Sequence, residues 1–270
     1  KQESLAGKKI GFFGKGGAGK STAVVLIARA LVRTGYTVSI VDADSTNVGL
    51  HQALGIDDPP SPLIDYFGGM IFRGGSVTCP VDDPTPLEGA EILLDALPAN
   101  YVAQPEPNIY FLSGGKLGEY GAGVGCDGPI SKIARDIHVQ KNLVPVVTLV
   151  DFKAGLEDTA RGVVIGMDWA IVIVDPTQAS IILAMHMREM AEGIHLGHLP
   201  ATHHLESATL VQLANRLYRQ APFQTVLFVI NKIADQKTES FLRRTRAAHQ
   251  IEPIGVIHDD LAIGEAWLTG

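Results

Sequence analysis

The chain has 270 residues and a formal net charge of −7. It is long enough for a substantial core, and its overall charge gives no support to nonspecific nucleic-acid binding. The richest apolar runs, AVVLIARALV (23–32) and VVIGMDWAIVIV (163–174), are broken by Arg29 and Asp168 and fall short of the ~20 residues of a bilayer span. No signal peptide is visible and there are two cysteines, Cys79 and Cys126, so a reducing, cytoplasmic setting is expected. In chain order the spacing predicts a strand over 9–13, a helix over 20–33 closed by Gly35 and a strand over 37–41. Strands follow over 109–112, 143–150 and 169–174, then helices over 181–192 and 208–219. A strand over 225–230, a helix over 237–249, a strand over 254–257 and a helix over 262–268 complete the order. Several strands are apolar without alternation, which suits parallel strands covered on both faces.

This alternation predicts an α/β fold: a doubly wound, mostly parallel sheet with helices on both faces. Residues 56–108 break the pattern. They hold nine of the 15 prolines and one basic residue, Arg73. An irregular, acidic, Pro-rich insertion in a single domain over 1–270 is expected, with one helix at 86–97.

The stretch GFFGKGGAGKST (11–22) carries the strongest chemical signal. Gly14 to Ser21 fits G-x-x-x-x-G-K-[ST], after a strand and at the opening of a helix. Gly14, Gly16, Gly17, Ala18 and Gly19 let backbone N–H groups converge on phosphate oxygens, and the helix N-terminus adds its dipole. Lys20 is expected to neutralise the β- and γ-phosphates, with Ser21 ligating Mg²⁺ and Thr22 beside it. Lys15 sits too early in the loop to serve the same oxygens. It is either a solvated lysine or a cation for another site.

KGGAGKST resembles the signature-lysine, or deviant, Walker A loop of the MinD, ParA and nitrogenase iron-protein (SIMIBI) superfamily of P-loop ATPases. The resemblance implies a nucleotide-dependent homodimer in which Lys15 reaches the other subunit's nucleotide, as an arginine finger does in trans. VSIVDADSTNVGL (38–50) then matches switch I. Asp44 would orient the attacking water, and Asp42 would organise Mg²⁺ through water or cap the next helix. LVPVVTLVDFKAG (143–155) is an apolar strand ending in Asp151, a carboxylate for the Mg²⁺ shell. Gly155 is placed to sense the γ-phosphate through its N–H. VLFVINKIAD (226–235) ends with Asn231 and Lys232 at the base. Its N-K-x-x-D spacing, rather than N-K-x-D, favours ATP/ADP. EPIGVIHDDLAIGEAW (252–267) resembles the segment that brackets the base, with His258 in place of a proline.

GVGCDGP (123–129), DFKAGLEDTARG (151–162), IVIVDPTQASI (171–181) and NIYFLSGGKL (108–117) together resemble the CooC-type ATPases, which aid nickel-site assembly in carbon monoxide dehydrogenase. That resemblance implies a metalloenzyme client and Ni²⁺ or Zn²⁺ at the dimer interface on Cys126. The chain departs from the family at three places. C-x-C is reduced to Cys126-Asp127-Gly128, so Asp127 carboxylates or water would have to complete the ligand set, and an inert free thiol is the alternative. Asp158 lies near the family's histidine, and Lys153 sits where an acidic residue is usual. His195, His198, His203 and His204 could gather a metal or lie solvated. Two other readings stay open: a ParA/MinD-like positioning ATPase and an iron-protein-like electron donor. The first wants a basic face, for which 242–250 is the local candidate, or a basic amphipathic C-terminal helix, which the acidic C-terminal segment is not. The second wants more cysteines.

Overall fold

The computed structural model describes residues 4–116, 126–240 and 251–269. Among the described residues eleven strands are formed: β1 (Lys9–Gly14), β2 (Val38–Asp42), β3 (Glu91–Leu93), β4 (Ala103–Glu106), β5 (Ile109–Ser113), β6 (His138–Lys141), β7 (Val144–Pro145), β8 (Val147–Asp151), β9 (Trp169–Val174), β10 (Thr225–Ile233) and β11 (Pro253–His258). Among the described residues the α-helices are α1 (Lys20–Arg33), α2 (Leu50–Ala53), α3 (Leu63–Tyr66), α4 (Gly128–Asp136), α5 (Glu157–Ala160), α6 (Gln178–His195), α7 (Ala208–Arg219) and a C-terminal helix, Leu261–Thr269.

The main sheet has eight strands in the order β11-β10-β9-β1-β8-β2-β5-β4. Every pair is parallel except β4 with β5. β1 is central and buried at all six positions. Successive residues of one strand point to opposite faces, and two separate cores follow. Phe12, Ile40, Phe111, Leu149 and Ile171 pack with Val24, Val25 and Ala28 of α1. Their neighbours Phe13, Val41, Leu112, Val150 and Val172 pack with Ile130 and Ile133 of α4 and with Leu63, Met70 and Ile92 from the insertion. Phe13 and Phe152 stack with centroids 4.9 Å apart. Parallel register brings the ends of β1, β2 and β8 to one edge, with Phe12 opposite Asp151 and Asp42 opposite Asp151.

Some expected elements differ. No helix forms at 86–97. Gly89 turns the chain at φ +70, and β3 follows, pairing with β6 in a small second sheet β3-β6-β7. The strand expected over 143–150 is two strands. Asn142 and Leu143 both take positive φ, which makes a hairpin of β6 and β7, and β8 starts only at Val147. α4 was not expected at all. The helix expected over 237–249 is described as far as residue 240. Its remainder and the basic run 242–250 lie outside the described residues, as do residues 123–125 of the Cys126 loop. No helix among the described residues is long and apolar enough to cross a membrane.

Candidate functional site

The loop from Gly14 to Lys20 joins β1 to α1. Gly17 and Gly19 take φ +77 and +90, the left-handed region that costs other residues energy. A Cβ on Gly19 would also strike the amide of Asn231, which donates to Ala18 O at 2.8 Å. α1 has no side-chain N-cap and no acidic residue in its first turn, so its free N–H groups and dipole face outward for an anion. They open on a cavity of about 800 Å³ whose lining includes Gly16, Lys20, Asp44, Asn231, His258 and Trp267. Lys20 is 7% exposed, and its Nζ lies 3.8 Å from Asp44 Oδ2.

Below Lys20, Ser21 Oγ donates to Asp151 Oδ2 at 2.6 Å and receives Asn47 Nδ2 at 2.9 Å. Asp151 is fully buried, and its Oδ1 has no hydrogen-bond partner among the described residues. Burial pushes its carboxyl above the usual range, against the pull of Lys20 and Ser21. A buried carboxylate oxygen left unpaired beside a hydroxyl is a donor set that suits a hard divalent cation such as Mg²⁺.

Asp42 is differently engaged. Its Oδ2 accepts from Lys116 Nζ at 2.7 Å and its Oδ1 from the Asp44 N–H at 3.2 Å. Burial raises its carboxyl to about 7, partly opposed by Lys116. Lys116 also donates to Asp44 O at 2.6 Å. Asp44 Oδ1 accepts from Thr46 N, Thr46 Oγ1 and Asn47 N at 3.0, 2.7 and 3.1 Å. That turn leaves Oδ2 facing Lys20. Gly155, at φ +94, donates its N–H to Gly14 O at 3.0 Å. Lys232, at φ +60, and His258 line the cavity. Lys15 Nζ lies 3.1 Å from Asp175 Oδ2.

The Cys126 loop departs from expectation. Asp127 is no free metal donor. Its Oδ1 pairs with Arg161 at 2.7 Å, and its Oδ2 takes Ser45 Oγ at 2.5 Å and Lys153 Nζ at 3.3 Å. Burial would raise its carboxyl, but Ser45, Arg161 and Lys153 outweigh that and hold it low. Asp158 is likewise taken, by Ser131 Oγ at 2.7 Å, Lys153 N at 3.0 Å and Arg161 at 3.2 Å. Cys126 Sγ accepts from Gly128 N at 3.3 Å and lies 3.8 Å from the Arg161 guanidinium. Cys79, remote in sequence, packs so closely on Gly128 that a Cβ there would strike its sulfur. Both thiols therefore border one glycine. Burial pushes the Cys79 thiol up to about 11, and the neighbouring Cys126 adds to this. The histidines do not converge. His203 and His204 lie ring to ring at 4.2 Å, while His195 stacks on Phe223 at 6.1 Å. Among the described residues, no three His, Cys, Asp or Glu side chains are grouped to hold a metal ion.

Lys116, Asp175, Asn47 and Ser45 escaped the sequence reading. Lys116 and Asp175 stand just past the ends of β5 and β9, where ligands of open α/β sheets gather, so the strand-end rule could have found them.

The family described as the CobQ/CobB/MinD/ParA nucleotide binding domain matches residues 12–270. An uncharacterized ATP-binding protein of Methanocaldococcus jannaschii is 30% identical over 264 residues, covering 97% of this chain and 92% of that protein. The carbon monoxide dehydrogenase accessory protein CooC of Rhodospirillum rubrum is 27% identical over 219 residues, covering 77% and 74%. Among solved structures, the septum site-determining protein MinD from Pyrococcus horikoshii, complexed with Mg-ADP, has a TM-score of 0.58 at 18% identity, covering 97% of this chain and 85% of that one. A ParA family ATPase from Chlorobium tepidum has a TM-score of 0.57 at 16% identity, covering 98% and 90%. The two structural likenesses concern the fold.

Proposed function

The chain belongs to the CobQ/CobB/MinD/ParA nucleotide-binding domain family, and from that premise we propose a cytoplasmic ATPase that works as a dimeric switch in metallocentre assembly. The observation that carries the nucleotide chemistry is the Ser21–Asp151 pair, with its unpaired buried oxygen, beneath Lys20 at an uncapped helix start. Ser21 and Asp151 would hold Mg²⁺, which when bound would neutralise phosphate charge. Lys20 adds its ammonium to the same oxygens. Asp44 orients the attacking water from the far side of Lys20. Asp42 acts by fixing Lys116 and the Asp44 backbone. Asn231 and Lys232 flank the adenine. Gly155 gives up Gly14 O and turns its N–H to the γ-phosphate. Lys15 leaves Asp175 for the nucleotide of a second copy, so the site is complete only in the closed dimer.

The output is delivery of nickel, or zinc, to a metalloenzyme client such as carbon monoxide dehydrogenase, with Cys126 as the metal-handling thiol. Supporting this are the relation to CooC at 27% identity and the half-buried position of Cys126 beside Arg161. The test is ATP turnover and sedimentation with a nonhydrolysable ATP analogue, on wild type and Lys15→Ala. The wild type is expected to pair with the analogue and turn over slowly, and the variant to do neither. Unchanged behaviour of the variant would remove the dimeric mechanism. Nickel and zinc stoichiometry of Cys126→Ala, if equal to wild type, would remove the metal role.

A further inference from the structure

One side chain of the C-terminal helix reaches the nucleotide site. Trp267 donates its indole N–H to Thr22 Oγ1 at 2.9 Å. The same ring packs on Gly49, where a Cβ would sit 3.1 Å from Cζ3. Thr22 follows Ser21 in the first turn of α1. Gly49 closes the segment that starts at Asp44: its N–H is held by Asn47 Oδ1 at 3.1 Å, and Asn47 Nδ2 reaches Ser21 Oγ at 2.9 Å. Thr22, Asn47 and Trp267 all line the one cavity.

The direction of this hydrogen bond matters. An indole N–H only donates, so it occupies a lone pair of Thr22 Oγ1 and leaves the hydroxyl hydrogen to find another acceptor. A helical threonine commonly gives that hydrogen to the carbonyl four residues back. Here that carbonyl belongs to Ala18, which takes Asn231 Nδ2 at 2.8 Å on one of its two lone pairs, so it is a competed acceptor for the Thr22 hydroxyl. The other direction is the cavity, where a nucleotide presents phosphate oxygens.

We infer that Trp267 is a positioning residue for the nucleotide: it fixes the Thr22 hydroxyl as a donor to a phosphate oxygen and braces the Asp44–Gly49 segment through Gly49. This rests on the nucleotide reading of the site. Trp267 is 38% exposed and lines the cavity, so a nucleotide bound there changes its surroundings.

Titration of Mg-ADP into wild type, Trp267→Phe, Thr22→Val and the double variant tests it. Phenylalanine keeps a ring on Gly49 and loses the N–H. Trp267→Phe is expected to raise the Mg-ADP Kd about fivefold, the effect of one hydrogen bond. The turnover at saturating ATP should stay within about twofold. Thr22→Val should lose a similar factor, and the double variant no more than Thr22→Val alone, because the indole acts through that hydroxyl. An unchanged Kd for Trp267→Phe, or losses that multiply in the double variant, overturns the inference. The chain has two tryptophans, so in Trp169→Phe the indole emission reports Trp267 alone. Mg-ADP should quench or shift that emission, and no change overturns the inference even where Trp267→Phe fails to fold. A wild type that does not bind Mg-ADP sinks the nucleotide reading and this inference together. Normal wild-type binding with an indifferent Trp267→Phe sinks the inference alone.

Discussion

Lys15 and Asp175 form an ion pair within one chain, with Nζ to Oδ2 at 3.1 Å. The two residues follow adjacent strands, β1 and β9, at the edge where the phosphate loop stands. Burial would lift the Asp175 carboxyl, but the Thr177 hydroxyl, which donates to its Oδ1 at 2.5 Å, and the Lys15 ammonium hold it below the usual range. Asp175 is thus a ready carboxylate at which Lys15 rests in the isolated chain. A pair with one partner this exposed contributes about 0–1 kcal/mol, so a stronger anion can displace Asp175. Asp175→Asn is expected to tighten analogue-driven pairing by up to about fivefold, measured by sedimentation equilibrium. Looser pairing in that variant would mean that Asp175 holds the dimer rather than competing with it.

On the proposed reading, the Ser21–Asp151 pair sets the magnesium dependence. Asp151→Asn keeps the shape and the hydrogen bond but loses the charge. Its Mg-ADP affinity should fall at least about tenfold, as expected for losing a charged partner. Its affinity for ADP in excess chelator should stay near that of wild type. Isothermal titration with and without Mg²⁺ separates the two, and a loss independent of Mg²⁺ would assign Asp151 to folding.

Asp42 predicts a pH dependence with a definite sign. Its folded pKa, about 7, lies above the ordinary carboxylate value of 3.8. A raised carboxyl contributes stability that is present below the unfolded pKa and lost as pH climbs through the folded one. Between about pH 4 and 7, wild type should lose stability relative to Asp42→Asn by up to ~1.4 kcal/mol per pH unit. Urea midpoints at pH 5, 6, 7 and 8 read this directly. Taking the difference between the two proteins removes the parallel contributions of Asp151 and Asp158, which burial also raises. A constant difference across that range would show that Lys116 keeps Asp42 ionised throughout.

The two thiols should differ in reactivity. Cys126 is half-buried, whereas Cys79 is buried with its thiol raised to about 11. The thiolate is the reactive form. Iodoacetamide at pH 7.5 should place one label on the native chain, at Cys126, and a second only after denaturation. Peptide mass spectrometry tells them apart, and equal labelling would show that Cys79 opens to solvent in the native state.

The phosphate loop and the strand ends were legible because their signals are local. A glycine-rich turn between a strand and a helix is fixed by backbone chemistry over a dozen residues, and α1 and α7 have the bounds that apolar spacing gives. α4 was hidden for the opposite reason. Residues 128–135 are all buried, including Lys132 and Arg135. Their charges are met by Asp83 and Asp136 at 3.2 and 2.6 Å; Ile130, Ile133 and Ala134 do recur at helical spacing, but over only nine residues after a glycine-rich loop, and what covers the charged side chains, Asp83 among them, lies outside the helix. Residues 86–97 carry a helical spacing of apolar side chains, but Gly89 turns the chain and β6 offers a strand partner. The approach of Cys79 to Gly128 joins segments 49 positions apart, a relationship that no periodicity records. Asp127 looked like a spare carboxylate because its cations, Lys153 and Arg161, come from a distant loop.

That carboxylate carries a consequence of its own. Asp127 stands at the start of α4 next to Cys126, its carboxylate not capping the helix, and its donors come from Ser45, one residue past Asp44, and from Lys153 and Arg161, on either side of Gly155. An anion shielded from water tolerates no vacancy among its counter-charges. The segments that carry Asp44 and Gly155 therefore share one counter-charge network, and Arg161, 3.8 Å from the Cys126 sulfur, ties that thiol to it.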